Sequence, residues 1–421
     1  MANDPIITGD RSCPITFDQH SVEHARTWPE QMTRIRAECP RAWTDSYGGY
    51  WIASKFEDII GIGQRPESFT AHKAIDPVTG EVSGGVSIPP VPSLRAIPNE
   101  TAGDEWRGAR SFLDRRFAPR AVKTRQDKAK QVAAALIDEV IETGKFDIVE
   151  DLANPLPAIV TMEIFGFPLS EWRDFADPFH KMTYTRRDDP GFLDTVRGLD
   201  HFLERVDEEI ELRRKEPRDD LLGMMASGTI DGQPLDRTYC RNMATNILAG
   251  GVDTTTALTS NTLIYLSQNP EDRARLIADP SLLPIACEEV VRFFSPVHSI
   301  GRNAAEDVDM NGWQFRKGDR VLLAFASANR DADVFDDPGR VILDRFPNKH
   351  VAFGSGQHRC LGSFLARMMW EVMVTEVLTR MPDYKVIEDR MVSYPSIASV
   401  NGWITIPATF TPGKKVGARI E

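Results

Sequence analysis

Residues 352–362 read Ala352-Phe353-Gly354-Ser355-Gly356-Gln357-His358-Arg359-Cys360-Leu361-Gly362, with three glycines and a phenylalanine around one cysteine, directly before a strong helical pattern. Glycine admits backbone conformations closed to other residues and lets a flat ligand approach closely. A helix opening at about Leu361 aims its first N–H groups and its positive dipole end back at the sulfur. Both features favour a thiolate at Cys360. Three other readings compete with a ligand role. The blandest is a buried thiol in a glycine turn. His358 and Cys360 as zinc ligands lack a second pair at suitable spacing. A cysteine hydrolase using Cys360 and His358 needs a nucleophile–base hydrogen bond that residues two apart around a turn seldom make.

Outward from this loop, the bulk composition is that of an ordinary globular protein. The chain has 421 residues, 41% hydrophobic and 27% charged, enough for a sizeable core. No linker or repeat divides it, so a single domain over 1–421 is expected. A formal net charge of -12 opposes non-specific nucleic-acid binding. The first residues lack the basic and apolar regions of a signal peptide and no apolar run is long enough to span a bilayer, so a soluble, cytoplasmic protein is expected, with no membrane partner. Cys13, Cys39, Cys240, Cys287 and Cys360 are an odd, scattered set. Neither a disulfide framework nor a zinc pattern is expected, and the four besides Cys360 read as ordinary thiols.

In chain order, an N-terminal arm (1–40) precedes two short strands, Ala42-Trp43 and Tyr50-Trp51-Ile52-Ala53, joined by a glycine turn. Gly61-Ile62-Gly63 is not a dinucleotide loop, because Pro66 stands where a third glycine belongs. Residues 72–100 carry Pro77, Gly80, Gly84, Gly85, Pro89, Pro90, Pro92 and Pro98, which predicts a lid or binding loop. A helix over 104–120 concentrates Arg107, Arg110, Arg115 and Arg116; a solvated face and a docking patch explain it equally well. Helical spacing continues over 123–144 and 148–165, the latter interrupted by Pro155 and Pro157, then over 170–185 and 190–216.

The longest helical stretch runs from about Asp236 to Gln268 and breaks local rules in its middle. Gly250 and Gly251 each cost about 1 kcal/mol relative to alanine there. Thr254, Thr255 and Thr256 can bond back to the preceding turn and bend the helix. Such rule-breaking marks function. The glycines would open a groove for a small ligand, Asp253 would provide a proton route and Thr254 a hydrogen-bonding hydroxyl. In the helix over 282–294, Glu289 and Arg292 stand at i and i+3, by themselves an ordinary ion pair. Asp307–Asp309, Asn311-Gly312 and Trp313–Phe315 read as a hairpin, and 321–324 as a buried strand.

Taken together, four separated motifs resemble those of the cytochrome P-450 family, in the family's order. Phe353-Gly354-x-Gly356-x-His358-x-Cys360-x-Gly362 is similar to its haem-binding loop, and Gly250-Gly251-Val252-Asp253-Thr254 to its oxygen-activating segment. Glu289-Val290-Val291-Arg292 resembles its Glu-x-x-Arg, and 328–340 the meander that precedes the cysteine. The likeness is strongest to the soluble bacterial branch and covers the chain from about Pro40 onward. It implies a mainly α fold with small β-sheets, a triangular prism whose central helix (236–268) crosses over haem b, with the haem-thiolate loop and its helix over 352–379. Cys360 would be the axial iron ligand, with Phe353 and Gly354 against the haem and Gly250 and Gly251 on its other face. His358, Arg302 and Arg110 match propionate-holding positions; Trp106 stands where the family usually has a further histidine. Glu289, Arg292 and Arg340 would form a buried structural network.

The resemblance further implies a monooxygenase that inserts one atom of O2 into a hydrophobic small molecule, by hydroxylation or epoxidation, with Asp253 and Thr254 as the catalytic pair. A peroxide-driven peroxygenase or a haem sensor would not need that pair. No flavin or nicotinamide loop is apparent, so electrons would come from an iron–sulfur ferredoxin and its NAD(P)H-dependent reductase, docking on Arg107, Arg115, Arg116 and Arg359. A monomer is expected. Ile88, Leu94, Ile97, Phe179, Ile247, Val297, Ile300 and Trp403 match pocket-lining regions; His298 and Asn401 either orient a polar group or are satisfied structural residues.

Overall fold

The computed structural model describes residues 13–91, 94–185, 190–398 and 400–420. Residues 1–12 of the predicted arm and Pro92 of the predicted lid lie outside the described residues. Helix α1 (Val22–Glu38) leads into β1 (Arg41–Thr44) and β2 (Tyr50–Ala53), which pair antiparallel with Trp43 opposite Trp51. After β3 (Phe69–Thr70) the lid loop holds one short hairpin, β4 (Lys73–Ile75) and β5 (Val82–Gly84). Far along the chain, β6 (Ile300–Ala304), β7 (Val308–Met310), β8 (Trp313–Phe315) and β9 (Arg320–Leu323) follow. The main sheet has the order β1-β2-β9-β6-β3. Its two faces follow from period-two alternation. Trp43, Trp51, Val321 and Leu323 pack with Trp313 and Phe315 on one side, while Tyr50, Ile52 and Leu322 meet Trp28, Met32 and Ile35 of α1 on the other. The β7–β8 turn uses Asn311 and Gly312, both at positive φ, as the Asn-Gly pair predicts.

The principal helices are α2 (Gly103–Phe117), α3 (Gln126–Val140), α4 (Pro155–Phe165), α5 (Trp172–Tyr184), α6 (Phe192–Lys215), α7 (Arg237–Gly251), α8 (Asp253–Gln268), α9 (Leu283–Phe294) and α10 (Ser363–Arg380). They share one large apolar core, in which Trp370 of α10 is fully buried with its indole N–H on Thr262 Oγ1 at 2.9 Å. Pro155 does not interrupt a helix but opens α4, at the first position, where its missing N–H would have had no helical partner. Gly61 and Gly63 lie inside a short helix, Phe56–Gly63. None of the described helices is long and apolar enough to cross a membrane.

Two expectations are corrected here. Cys13 and Cys39 are not ordinary thiols: they pair as a disulfide with Cα atoms 5.9 Å apart, closing the entry of α1 back onto its end. Sequence spacing does not reveal such proximity. The buried network also differs from the one implied. Glu289 and Arg292 are both fully buried, with two bonds between them at 2.7 Å. The second guanidinium on Glu289 is that of Arg345, at 3.0 Å, joined by Asn348 Nδ2 at 3.0 Å and the Ile342 N–H at 2.8 Å. Arg340 contributes only its carbonyl, which accepts from Arg292 at 2.9 Å, and its side chain is exposed.

The lid loop is held by a buried pair, Lys73 and Glu100, at 3.5 Å. Glu100 also accepts the N–H groups of Val86 at 3.2 Å and Ala96 at 2.9 Å, so one carboxylate fastens both limbs of the loop.

Removing one partner of a buried charge network leaves the rest uncompensated. Arg345→Leu is therefore expected to destabilise by about 3–5 kcal/mol in urea unfolding. Arg340→Ala, which keeps the carbonyl, should stay within about 0.5 kcal/mol of the parent; equal effects would contradict the assignment.

Candidate functional site

Three distant stretches meet around one cavity of about 240 Å³. Its floor is the loop before α10, with Phe353, Gly354, Cys360, Leu361 and Gly362 lining it. The loop is closed by Cys360 N–H to Phe353 O at 2.8 Å and turned by Gly354 and Gly356 at φ +75° and +66°. A Cβ at Gly356 would stand 1.9 Å from the Gly63 carbonyl oxygen, so only glycine fits against that helix end. Helix α10 begins at Ser363, two residues later than the sequence suggests, because Leu361 and Gly362 are spent on the turn.

Cys360 lies deep in the protein yet exposes its surface to this cavity. Burial pushes its thiol above the ordinary range, and the Gly362 N–H and the charges of Arg110, Arg367 and Arg359 offset this only in part. A coordinating metal, by contrast, deprotonates a thiol outright. Among the described residues no hydrogen bond joins Cys360 to His358, whose ring instead meets Gln357 Nε2 at 3.2 Å. The hydrolase reading therefore has no nucleophile–base pair to rest on.

At one side of the cavity three basic groups converge. Arg302, on β6, is 6% exposed and bonds the Gly301 carbonyl at 2.8 Å. Among the described residues no carboxylate pairs with it, and burial lowers its pKa to about 10. His358 is lowered to about 3, by burial first and then by Arg302 and Arg110, so it stays neutral with one N–H to donate. Trp106 stands edge-on to the His358 ring, with centroids 5.7 Å apart. Arg110 bonds Asp114 at 2.8 Å and the Arg359 carbonyl at 2.7 Å, and its charge acts on His358.

The cavity roof is the break between α7 and α8. Val252, at φ −96° and ψ −74°, separates two helices where one was expected. Gly250 has open space on its Cβ side, whereas a Cβ at Gly251 would come within 3.0 Å of Thr161 Oγ1. Gly250 thus keeps the cavity open, and Gly251 allows α7 to pack on α4. Thr254 lines the cavity, its hydroxyl donating to Gly250 O at 2.9 Å. Asp253 is buried and turned elsewhere. His180 Nδ1 is 2.5 Å from its Oδ1, Thr183 Oγ1 donates to Oδ2 at 2.8 Å, and Tyr394 stands at 3.5 Å. His180, Thr183 and Tyr394 carry no sequence signal for this role, since each lies 70 or more residues from Asp253.

Of the ten predicted pocket residues, Ile247, Val297 and Ile300 line the cavity. Ile88 packs into the α1 side of the sheet, Phe179 against Phe202 with centroids 5.5 Å apart, and His298 against Trp28 at 4.3 Å. Trp403 is turned to Asn261 Oδ1 at 2.9 Å, and the Asn401 N–H bonds the Pro296 carbonyl at 2.8 Å. Leu94 and Ile97 face a separate outer cleft. These seven find burial or partners away from the cavity, while Leu258, Val291 and Phe325, which the sequence reading did not place in the pocket, line it. Of the arginines expected to dock a partner, Arg107, Arg115 and Arg359 are exposed, Arg107 paired with Asp104, while Arg116 is largely covered and pairs with Asp219.

A buried guanidinium without an acid is costly. A haem, with anionic propionates and an iron that takes a thiolate, fits this chemistry: Arg302 and His358 at one edge, Cys360 below, apolar walls between.

The comparisons agree with this geometry. The Cytochrome P-450 family model matches residues 194–382. A steroid C26-monooxygenase of Mycolicibacterium smegmatis is 33% identical over 311 residues, 73% of this chain and 77% of the relative. A linalool 8-monooxygenase of Pseudomonas putida is 31% identical over 368 residues, 84% and 89% of the two chains. The solved cytochrome P-450 PksS of the Bacillus subtilis bacillaene polyketide synthase superposes with a TM-score of 0.81 at 26% identity, over 94% of this chain and all of that one.

Arg302→Gln is expected to fold and take up haem but to release it to excess apomyoglobin about tenfold faster or more, the loss of one charge-assisted hydrogen bond. An unchanged transfer rate would mean that Arg302 does not hold the group.

Proposed function

This chain belongs to the cytochrome P-450 family of haem-thiolate monooxygenases, and from that premise we propose that it inserts one oxygen atom of O2 into a hydrophobic small molecule by hydroxylation or epoxidation. The observation that carries the reading is Cys360 facing Thr254 across an apolar cavity whose edge holds the unpaired Arg302. The cofactor would be haem b, with Cys360 as axial ligand and Arg302 and His358 on the propionates. When bound, the haem iron with its thiolate supplies the electron-rich centre that activates oxygen. Ile247, Leu258, Val297 and Ile300 hold substrate by apolar contact and exclude water. Relatives named for a steroid and a monoterpene alcohol support a substrate of that apolar kind. Electrons would come from a separate iron–sulfur ferredoxin and its NAD(P)H-dependent reductase, with Arg107, Arg115 and Arg359 as the exposed cationic contacts.

Proton delivery is assigned to Asp253 and Thr254. Thr254 presents its hydroxyl to the cavity, and Asp253, on the far side of the helix, exchanges protons with the His180 cluster. Burial opposes charge on His180, but the hydrogen bond and charge of Asp253, with Glu150 and Asp177 beyond, outweigh it and raise its pKa. Glu150 and Asp177 are themselves raised by burial, as is Tyr184 beside them. For a histidine raised on folding, the ion pair contributes fully below the unfolded pKa of about 6.5 and is lost as pH climbs through the folded value. Protonated His180 grips Asp253; neutral His180 releases it.

Three outcomes follow. Cys360→Ser should abolish the shifted Soret band of the reduced carbon monoxide complex, and an unaltered band would end the thiolate assignment. Thr254→Ala should bind haem and substrate but release more hydrogen peroxide per electron consumed; unchanged coupling would remove its role. Turnover should rise with pH through the His180 value, with a solvent isotope effect that shrinks in step, and His180→Gln should flatten that profile. A variant that keeps the parent profile would show that another group titrates.

A further inference from the structure

One charged cluster close to Cys360 has no role in the chemistry assigned so far. Arg367, near the start of α10, lays its guanidinium over the ring of Phe353, 4.3 Å from the centroid. Phe353 itself lines the haem cavity. The guanidinium is fastened from two sides. Nη1 donates to the Ser363 carbonyl at 2.9 Å, while Nε and Nη2 bond the two carboxylate oxygens of Glu288, on α9, at 2.5 and 2.8 Å. Such a fork-to-fork pair fixes direction as well as distance.

Glu288 is held in turn by His350, whose Nε2 stands 3.1 Å from its Oε2. His350 Nδ1 accepts the Ala352 N–H at 3.3 Å, so the ring donates to Glu288 in its neutral form. Burial opposes the charge on Glu288, but the bonds from Arg367 and His350 outweigh it and hold the carboxyl down at about 2. The cluster therefore carries one positive and one negative charge at neutral pH. Adjacent residues of α9 divide the work: Glu289 fastens the segment that leads into the cysteine loop, and Glu288 the helix that leaves it.

The cation reaches the sulfur. Arg367 favours negative charge on Cys360, and Cys360 favours the positive charge on Arg367. The side chains of Arg367 and Glu288 are 23% and 30% exposed, so solvent screens their fields only in part. One-electron reduction of a bound haem adds a negative charge near this pair. A neighbouring cation favours the reduced state and a neighbouring anion the oxidised one.

We infer, given the haem-thiolate reading, that Arg367 and Glu288 are a positioning pair that sets the reduction potential of the haem. Arg367, stacked on Phe353, raises the potential; Glu288 fixes that cation in place and offsets part of its field. The pair decides how readily the bound haem takes an electron.

The test is an anaerobic dithionite titration of haem-loaded, substrate-free enzyme with redox mediators, at fixed pH and ionic strength; dithionite is oxidised as the haem iron takes the electron. Glu288→Gln keeps an acceptor for Arg367 but removes the negative charge, and should raise the reduced-to-oxidised ratio at a given potential by about threefold or more. Arg367→Met leaves Glu288 uncompensated and should lower that ratio by a similar factor. The double variant should return towards the parent, and Arg367→Lys, which keeps the charge without the fork, should stay within about twofold of it. Damage to the fold would move both single variants the same way. Shifts of equal sign, or unmoved potentials in both, would overturn the pair's role. The reduced carbon monoxide complex reports the thiolate separately: a parent without the shifted Soret band would sink the haem-thiolate reading and this role with it. Should Arg367→Met alone lose that band, the other two variants decide, since Glu288→Gln must still rise and Arg367→Lys must not fall.

Discussion

The site depends on one carboxylate, that of Glu289. It is fully buried and receives two guanidinium groups, one side-chain amide and one backbone N–H. Such a charge is tolerable in the interior only because its lone pairs are filled by donors of good geometry. Those donors come from α9 and from the irregular stretch 342–348, a segment with no regular ladder to fix it. Arg292 extends the grip, donating to the carbonyls of Asn329, Pro338 and Arg340. Asn329 passes it on: its Nδ2 bonds Ser295 Oγ and its Oδ1 accepts the Val351 N–H, both at 2.8 Å. Val351 is where the cysteine loop starts. A chain of hydrogen bonds therefore runs from a helix through an otherwise unstructured segment to Cys360, and rigid placement of the sulfur is its consequence.

How much of this was legible follows from how local each feature is. The cysteine loop and the Asn-Gly hairpin are specified by neighbours within a few residues, and the sequence reading placed both; it marked the middle of the central helix as locally weak but expected one helix where Val252 parts two. What escaped is pairing over long separations. Arg345 looked no different from Arg340, since both stand in the same Arg- and Asp-rich stretch. Only the fold decides which guanidinium turns inward and which leaves just its carbonyl. Cys13 and Cys39 met because α1 returns the chain to its starting point against β1, with Ile15 N–H on the Trp43 carbonyl at 2.8 Å. The pocket reading failed for a related reason. Apolar residues such as Phe179 and Ile88 serve the core and the cavity wall equally well by composition, and the cavity took Leu258, Val291 and Phe325 instead.

The central helix carries the most instructive difference. Successive residues on a helix point about 100° apart, and here Thr254 lines the cavity while Asp253 does not. The break at Val252 gives the cavity to the hydroxyl and turns the acid towards α5. There His180 and Thr183, three residues apart and hence on one face of α5, close around it, with Tyr394 from the C-terminal region on the other side. The acid is thus buried in a polar pocket of its own, apart from the hydroxyl that lines the cavity. A carboxylate held this way is ordered by its partners, and whatever loosens them governs when it can turn. The same glycine and threonine residues that weaken the helix locally are therefore what couple a cavity on one side to a titratable cluster on the other.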